Sequence, residues 1–432
     1  MEAISSEVQS LIKNNTFDIV LKPDNCDVVG CRYVLTKKQN IDGSEKKKAR
    51  LVAKGYNQRY GVNYFQTYAP VARLQTIRLL CALAAEFNME IHQMDINTAY
   101  LNGMLDEEIY MRIPEYLEKT LKHIIENDSI DEYIVMRAKR VLKDLQGGGN
   151  ICILKRSLYG LKQSGRQWYI RLNEKLEKMG MKPTLNEPCL YYKKNEDGLL
   201  LLVTIYVDDI LISCKDRQLI LQFKRELATD FDLKDFGEAK YCLGLEIEKC
   251  DDGVKLSQSK YIKEVLQKFD MEYCNIVSTP LEVGMKFTKS VDVTHQQSWP
   301  YRELIGSLMY LGIGTRPDIC HTISKLAQFT ENPSKLHWIC AKRVLRYLKK
   351  TINHSLFYKK SGKSLYGFSD ADWGNCLIDR CSYSGYVFIL SNAAISWKSQ
   401  KQKSVATSST EAEYVSLAES MKESIYLNSL LT

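Results

Sequence analysis

Residues 199–213 read Leu-Leu-Leu-Leu-Val-Thr-Ile-Tyr-Val-Asp-Asp-Ile-Leu-Ile-Ser. Two apolar runs flank an adjacent pair of acids, Asp208 and Asp209. The pattern predicts a β-hairpin with both acids at its tip. Two readings stay open at this point. Asp is common at exposed turns, where its side chain meets water. Carboxylates set into an apolar strand pair are otherwise costly unless something compensates them. A divalent cation is one such partner, because Mg²⁺ prefers hard oxygen donors and takes one or two carboxylates plus substrate phosphates.

Working outward, a second acid sits in a comparable place. Asp95 follows Ile91-His92-Gln93-Met94 and precedes Ile96, at the end of a strand predicted over residues 89–96. One role for it is the N-cap of a helix starting near Thr98. If its strand instead lies beside the hairpin, Asp95 and Asp208 can hold two cations together. That is the arrangement of in-line phosphoryl transfer by two metals about 4 Å apart. The residues alone therefore permit a metal-dependent nucleotidyl transferase.

The chain of 432 residues exceeds what one hydrophobic core supports, so two to four domains are expected. Hydrophobic residues make up 45%, so a folded globular protein is expected rather than a disordered one. The net charge of +8 is compatible with a polyanionic partner. Much of it lies in residues 36–60. There Lys37, Lys38, Lys46, Lys47, Lys48, Arg50, Lys54 and Arg59 face only Asp42 and Glu45. This stretch is either a solvated charged hairpin or a surface that displaces phosphate counterions. The 13 cysteines are scattered, with no CxxC pair and no Cys/His zinc spacing. They read as reduced thiols of an intracellular protein. The start lacks a signal-peptide pattern, and the apolar stretch 199–205 is far too short to span a membrane.

Periodicity predicts a helix running into a strand over 8–20. It predicts strand, basic loop and strand over 32–61, turning at Asn40-Ile41-Asp42-Gly43. A helix is expected over 76–88 and another from near Thr98. Residues 115–150 are charged and helix-prone and end in Gly147-Gly148-Gly149, which suggests a surface insertion with a flexible exit. Strand, turn and helix follow over 151–176. Helices are expected over 261–269, 301–329 and 336–350, then strands from Ser364 and a last helix from Thr410. The order suggests an α+β architecture with a helical linker.

Nine ordered segments resemble the copia-type reverse transcriptase family. They are 48–60 (KARLVAKGYNQRY), 64–72 (YFQTYAPVA), 93–103 (QMDINTAYLNG), 157–168 (SLYGLKQSGRQW) and 206–213 (YVDDILIS). Further on come 236–247 (FGEAKYCLGLEI), 305–319 (IGSLMYLGIGTRPDI), 337–348 (HWICAKRVLRYL) and 408–414 (SSTEAEY). Together they extend over nearly the whole chain. The resemblance implies an α+β right-hand polymerase of fingers, palm and thumb, followed by a truncated RNase H-like domain. Residues 1–247 would be fingers and palm, 248–355 a mainly helical thumb or connection, and 356–432 a partial RNase H-like domain.

The implied activity is RNA-directed DNA polymerisation from a primer 3′-hydroxyl, using deoxynucleoside triphosphates and two Mg²⁺, with Mn²⁺ as a possible substitute. Template RNA and DNA primer are the implied partners. Asp95 would match the first palm carboxylate, and Asp208 and Asp209 the YxDD pair, as catalytic residues and metal ligands. Tyr206 would orient the pair and touch the primer end. Tyr100 would place a ring beneath the incoming sugar and clash with a 2′-hydroxyl; the family usually has Phe there. Gly160 and Gln163 match the loop–helix motif that supports template and nucleotide. Lys48 and Arg50 lie where the fingers reach the triphosphate, and Arg suits bidentate phosphate contacts. Leu243-Gly244-Leu245 resembles the segment that grips the primer end. Lys335, Lys342, Arg343 and Arg346 either track the duplex or form the wet face of a helix.

In the last segment Asp370 matches the first RNase H carboxylate and Glu413 the second. Thr410 and Glu413 also have capping-box spacing. A further catalytic aspartate would follow beyond Thr432, so the expectation is an incomplete site, a poorly folding domain and no RNase H activity. The first twenty residues match the family a little inside its usual start, with Phe17 in place of Trp. Protease, integrase and capsid segments of the polyprotein are expected outside the chain, and no membrane partner is expected. Localisation stays open, although family behaviour suggests a cytoplasmic particle. The competing reading is a catalytically dead remnant, or a host-adopted protein that binds nucleic acid without catalysis.

Overall fold

The computed structural model describes residues 2–39, 45–196, 198–288 and 299–431. The turn expected at residues 40–43 lies outside them. At the centre is a six-stranded antiparallel sheet. Its order is Leu233–Glu238, Glu90–Ile96, Asp209–Cys214, Leu200–Tyr206, Leu190–Lys194 and Lys182–Pro183. Strand Glu90–Ile96 is largely buried on both faces, with apolar residues on each. Met94 and Ile96 pack with Trp168 and Leu172 of helix Ser164–Lys178 and with Phe223 and Leu227 of helix Arg217–Ala228. Ile91, on the opposite face, joins the core of helix Leu74–Phe87.

That helix is rich in Leu and Ala, strong helix formers, and is buried on most of its circumference. Asn88 ends it in a left-handed conformation, its N–H bonded to the Ala84 carbonyl. The helix expected from Thr98 is instead a short 3-10 turn, Ala99–Asn102, leading into strand Met104–Arg112. Thr98 itself has φ +52°, which an L-residue helix does not propagate.

A four-stranded sheet orders Phe17–Val20, Ile151–Arg156, Met104–Arg112 and Val28–Val29. Helices Glu2–Lys13, Leu117–Ile125 and Glu132–Gln146 accompany it. Residues 115–150 are therefore not loose: Leu117, Leu121 and Ile124 are fully buried beside Val8 and Leu11. Strands Cys31–Gln39 and Glu45–Ala53 form a separate two-stranded ribbon.

Farther along, strands Tyr241–Cys242, Leu245–Cys250 and Gly253–Ser257 pair in order. Leu356–Lys359 returns across helices Ser259–Lys268, Tyr301–Gly314, Cys320–Ala327 and Lys335–Lys350 to close this sheet. Those four helices share a core that includes Val265, Leu308, Leu326 and Leu345. Last come the three-stranded sheet Tyr366–Asp372, Tyr383–Leu390 and Ala393–Lys401 and the helix Ser409–Leu431. Phe388, Leu390, Ile395 and Leu427 of this unit belong to the same core as Leu79 and Leu80. Helix Leu74–Phe87 thus shares one core with residues 356–427. Among the described residues, no helix is long and apolar enough to cross a membrane.

Candidate active site

Asp95 and Asp209 are direct partners in the antiparallel ladder, so their side chains leave the same face of the central sheet. Gln93 shares that face, and its amide donates to Asp209 Oδ1 at 3.0 Å. Tyr206 pairs with Asp209, which leaves Val207 and Asp208 as a two-residue turn. Val207 has φ +59°, a conformation that costs a β-branched residue about 1–3 kcal/mol. The surroundings hold it there. Trp168 Nε1 donates to the Val207 carbonyl at 2.7 Å, and the Ile96 N–H donates to the Asp208 carbonyl at 2.9 Å. Asp208 is thereby presented at a fixed height beside the end of the Asp95 strand.

Burial pushes the Asp95 carboxyl up to about 6, and the charges of Asp208 and Asp209 add to the rise. Lys48 and Lys234 oppose it. Such mutual repulsion among hard oxygen donors is what a divalent cation relieves. Among the described residues, however, no three His, Cys, Asp or Glu side chains form a ready metal cage. The donor set fits a cation that takes part of its coordination from substrate. An N-cap role for Asp95 is ruled out, since Thr98 occupies the cap of the following 3-10 turn.

Tyr100 is half-buried and meets Tyr159 edge-to-face, with ring centroids 5.0 Å apart. Arg50 places its guanidinium carbon 5.1 Å from the Tyr159 centroid. Burial raises the Tyr159 hydroxyl to about 12; Arg50 lowers it and Asp208 raises it. Burial and Asp208 likewise raise Tyr100. Asp208, Tyr100, Tyr159 and Arg50 are thus neighbours. Tyr159 was missed in the sequence, where its only signal was its place just before Gly160. Lys48, exposed, lies two residues before Arg50 on the same strand face.

Gly160 and Gln163 support this group from behind. Gly160 has φ +92°, and a Cβ there would run into the Ala53 carbonyl oxygen. The Ala53 N–H donates to the Tyr159 carbonyl at 2.7 Å, so the ribbon and the turn meet backbone to backbone. Gly160→Ala is expected to lower stability by about 2–3 kcal/mol. Urea denaturation would register this, and a change under 0.5 kcal/mol would mean the junction adapts freely. Gln163 is fully buried rather than open to a ligand. Its amide accepts from Gln58 Nε2 at 3.0 Å and donates to the Asn63 carbonyl at 2.8 Å and to Glu107 at 3.1 Å.

The remaining candidates lie elsewhere. On helix Lys335–Lys350, Arg343 pairs with Glu282 at 2.7 Å and Arg346 donates to the Asn275 carbonyl at 2.6 Å. Both are engaged within the protein. Lys342 lies over the Trp338 ring, and Lys335 is exposed. Asp370 is exposed on its strand, and its carbonyl accepts from Ser416 Oγ at 2.7 Å. Glu413 is exposed one turn earlier on the same helix. The capping contacts of that helix fall in a different frame from Thr410/Glu413. Ser408 Oγ accepts from the Glu411 N–H at 3.1 Å, and Glu411 accepts from the Thr407 N–H at 2.6 Å.

Residues 14–126 and 123–283 match the family described as "Reverse transcriptase (RNA-dependent DNA polymerase)". Along 100% of its length the chain is 38% identical to the "Retrovirus-related Pol polyprotein from transposon TNT 1-94" of Nicotiana tabacum, covering 31% of that protein. It is 37% identical, again over 100% of its length, to the "Retrovirus-related Pol polyprotein from transposon RE1" of Arabidopsis thaliana, covering 28% of it. A putative transposon Ty5-1 protein of Saccharomyces cerevisiae is 30% identical over 76% of the chain and 100% of its own length. The chain spans less than a third of the two plant relatives. It belongs to the reverse transcriptase (RNA-dependent DNA polymerase) family, among the copia-type retrotransposon Pol polyproteins.

Proposed function

We propose that this chain is an RNA-directed DNA polymerase that adds deoxynucleotides to a primer 3′-hydroxyl on an RNA or DNA template. The observation that carries the reading is the pairing of Asp95 with Asp209 beside the strained Val207–Asp208 tip. Family membership points the same way. In this reading residues 1–247 are fingers and palm, 248–355 thumb or connection, and 356–432 a partial RNase H-like domain.

Asp95 and Asp208 bind two Mg²⁺ ions, with Mn²⁺ able to substitute, and Asp209 serves as a ligand or an electrostatic support. When bound, such ions activate the attacking hydroxyl and offset charge on the transferring phosphoryl group. Gln93 holds Asp209 in place through its amide. Tyr206 orients the pair. Tyr100 bars a 2′-hydroxyl, and Tyr159 braces its ring. Lys48 and Arg50 hold the triphosphate charge. Asp370 and Glu413 are two carboxylates of the RNase H-like segment. Protease, integrase and capsid functions fall to other segments of a Pol polyprotein.

The test is primer extension on an RNA template by the purified chain, with Mg²⁺, with EDTA, and with Asp208→Asn. Incorporation is expected only for the native chain with the cation. A folded native chain that binds primer–template yet incorporates nothing would instead support nucleic-acid binding without catalysis.

A further inference from the structure

Strands Tyr366–Asp372 and Tyr383–Leu390 are joined by residues 373–382, which carry Cys376 and Cys381, both free thiols. Two backbone hydrogen bonds set these cysteines opposite each other. The Cys376 N–H donates to the Cys381 carbonyl at 3.2 Å, and the Arg380 N–H donates to the Cys376 carbonyl at 2.7 Å. Arg380 is left-handed, with φ +59°, and turns the chain back into that second bond. Antiparallel residues paired through backbone hydrogen bonds lie about 5.5 Å apart at Cα. A disulfide spans Cα separations of about 4.4–6.8 Å. Both side chains face inward. Cys376 and Cys381 are buried and pack with Tyr383, while Leu377, Asp379 and Arg380 of the same loop are exposed.

The two sulfurs have different surroundings. Lys401 Nζ lies 3.9 Å from Cys376 Sγ and donates to Gln328 Oε1 and Asp379 Oδ2, each at 2.7 Å. Cys376 Sγ donates to the same Gln328 oxygen at 3.8 Å. Asp379 Oδ1 accepts from the Cys381 N–H at 3.2 Å. An ammonium beside Cys376 favours attack by that sulfur as a thiolate. Cys376 also lines a cavity of about 50 Å³ with Gln328 and Tyr383. A cavity of that size admits a molecule little larger than water.

The loop also bridges two units. Ile378 packs both against the two cysteines and against the four-helix core. Gln328 directly follows helix Cys320–Ala327, and its Nε2 donates to the Tyr383 hydroxyl at 2.6 Å. We propose that Cys376 and Cys381 are a peroxide-sensitive dithiol that closes into a disulfide and pins the joint between these helices and the last sheet. This is independent of the polymerase reading. The Cys376 thiolate attacks one oxygen of hydrogen peroxide. The O–O bond breaks, the departing hydroxide takes a proton to become water, and Cys376 is left as a sulfenic acid. Cys381 sulfur then attacks Cys376 sulfur. The S–S bond forms, the S–O bond breaks, and the hydroxide leaves as water with the Cys381 proton. Two thiols are oxidised by two electrons, and one peroxide is reduced to two waters.

Arg380 lies between the two cysteines, so trypsin separates them. Peptides 364–380 and 381–398 each hold one cysteine and stay joined only through a disulfide. The full chain, treated with a few equivalents of hydrogen peroxide, alkylated and digested, should yield the joined pair by mass spectrometry. The pair should be two hydrogens lighter than its parts and should vanish with dithiothreitol. Lys401→Met should slow its formation about tenfold, and Lys401→Arg should restore much of the rate. The oxidised chain should melt higher than the reduced one, and Cys381→Ser should show no such rise after peroxide. Separately alkylated peptides from the treated, folded chain would overturn the proposal, as would either cysteine joined to a third. So would a pair that forms as fast in urea as in the folded protein, because the fold would then not place it. A joined pair with no rise in melting temperature would refute the pinning.

Discussion

Asp95→Asn is expected to abolish primer extension, by about 10³-fold or more, and at the same time to stabilise the metal-free protein. In the proposed polymerase the loss follows from removing one of the anionic oxygen donors that would hold the cations. The gain follows from repulsion. Burial holds the Asp95 carboxyl at about 6 against an ordinary 3.8, and Asp208 and Asp209 add to the shift. Below about pH 4 the group is protonated in the folded and unfolded chains alike and costs nothing. As pH rises towards 6, the unfolded chain releases its proton first, and the folded state loses ground. Above that range the full cost is present. In EDTA the native chain should therefore lose stability between pH 4 and 6 relative to Asp95→Asn, and melt below it at pH 8. Thermal melts at several pH values check this. A variant that loses activity and also melts lower would mean that Asp95 serves the fold, as a capping aspartate would.

The hairpin was legible in the sequence because its signal is local. Two apolar runs of one period, broken by Asp208-Asp209, leave few alternatives. Asp95 was legible as a candidate, and its place beside the hairpin only as a conditional reading. The strand that meets it lies far along the chain, and nothing in residues 89–96 names the neighbour. Gly160 looked like turn punctuation, yet its glycine is required by the carbonyl of Ala53 on a different ribbon. Arg343 and Arg346 read either as a track for the duplex or as a wet helix face, and in the structure they bind Glu282 and the Asn275 carbonyl. The frame of the last helix was misread because Ser408 and Thr410 both offer caps, and only packing selects between them. Local pattern therefore gave element types, while long-range backbone contacts decided what each glycine, arginine and cap is for. The C-terminal unit shows the same limit. It was expected to fold poorly, and in the structure it shares its core with residues 74–87.

The second large effect is expected at Arg78, a buried cation in the otherwise largely apolar helix Leu74–Phe87. It is 4% exposed, and among the described residues its hydrogen bonds go to backbone carbonyls. Its Nε donates to the Ile395 carbonyl at 2.7 Å, and Nη1 reaches Ile313 and Gly314. The guanidinium carbon lies 4.0 Å from the Trp397 ring centroid. Burial lowers its pKa to about 10, which still leaves it charged at neutral pH. What offsets the buried charge is the negative end of helix Tyr301–Gly314 and the face of Trp397. One side chain therefore joins helix Leu74–Phe87, helix Tyr301–Gly314 and the last sheet. Arg78→Met preserves bulk but strands three carbonyls whose partner it removes. The expected cost is about 3–5 kcal/mol, a large part of the margin of a folded domain. Arg78→Lys should recover only part, because one ammonium cannot span carbonyls on two elements as a planar fork does. Because the contacts are buried, the loss should be nearly independent of salt, unlike that of a surface ion pair. Denaturation in urea at low and high salt, with limited proteolysis, measures it. Early release of the segment beyond residue 356 from Arg78→Met would locate the weakened joint, whereas stability within 1 kcal/mol of the native chain would show that shared apolar packing alone holds the unit in place.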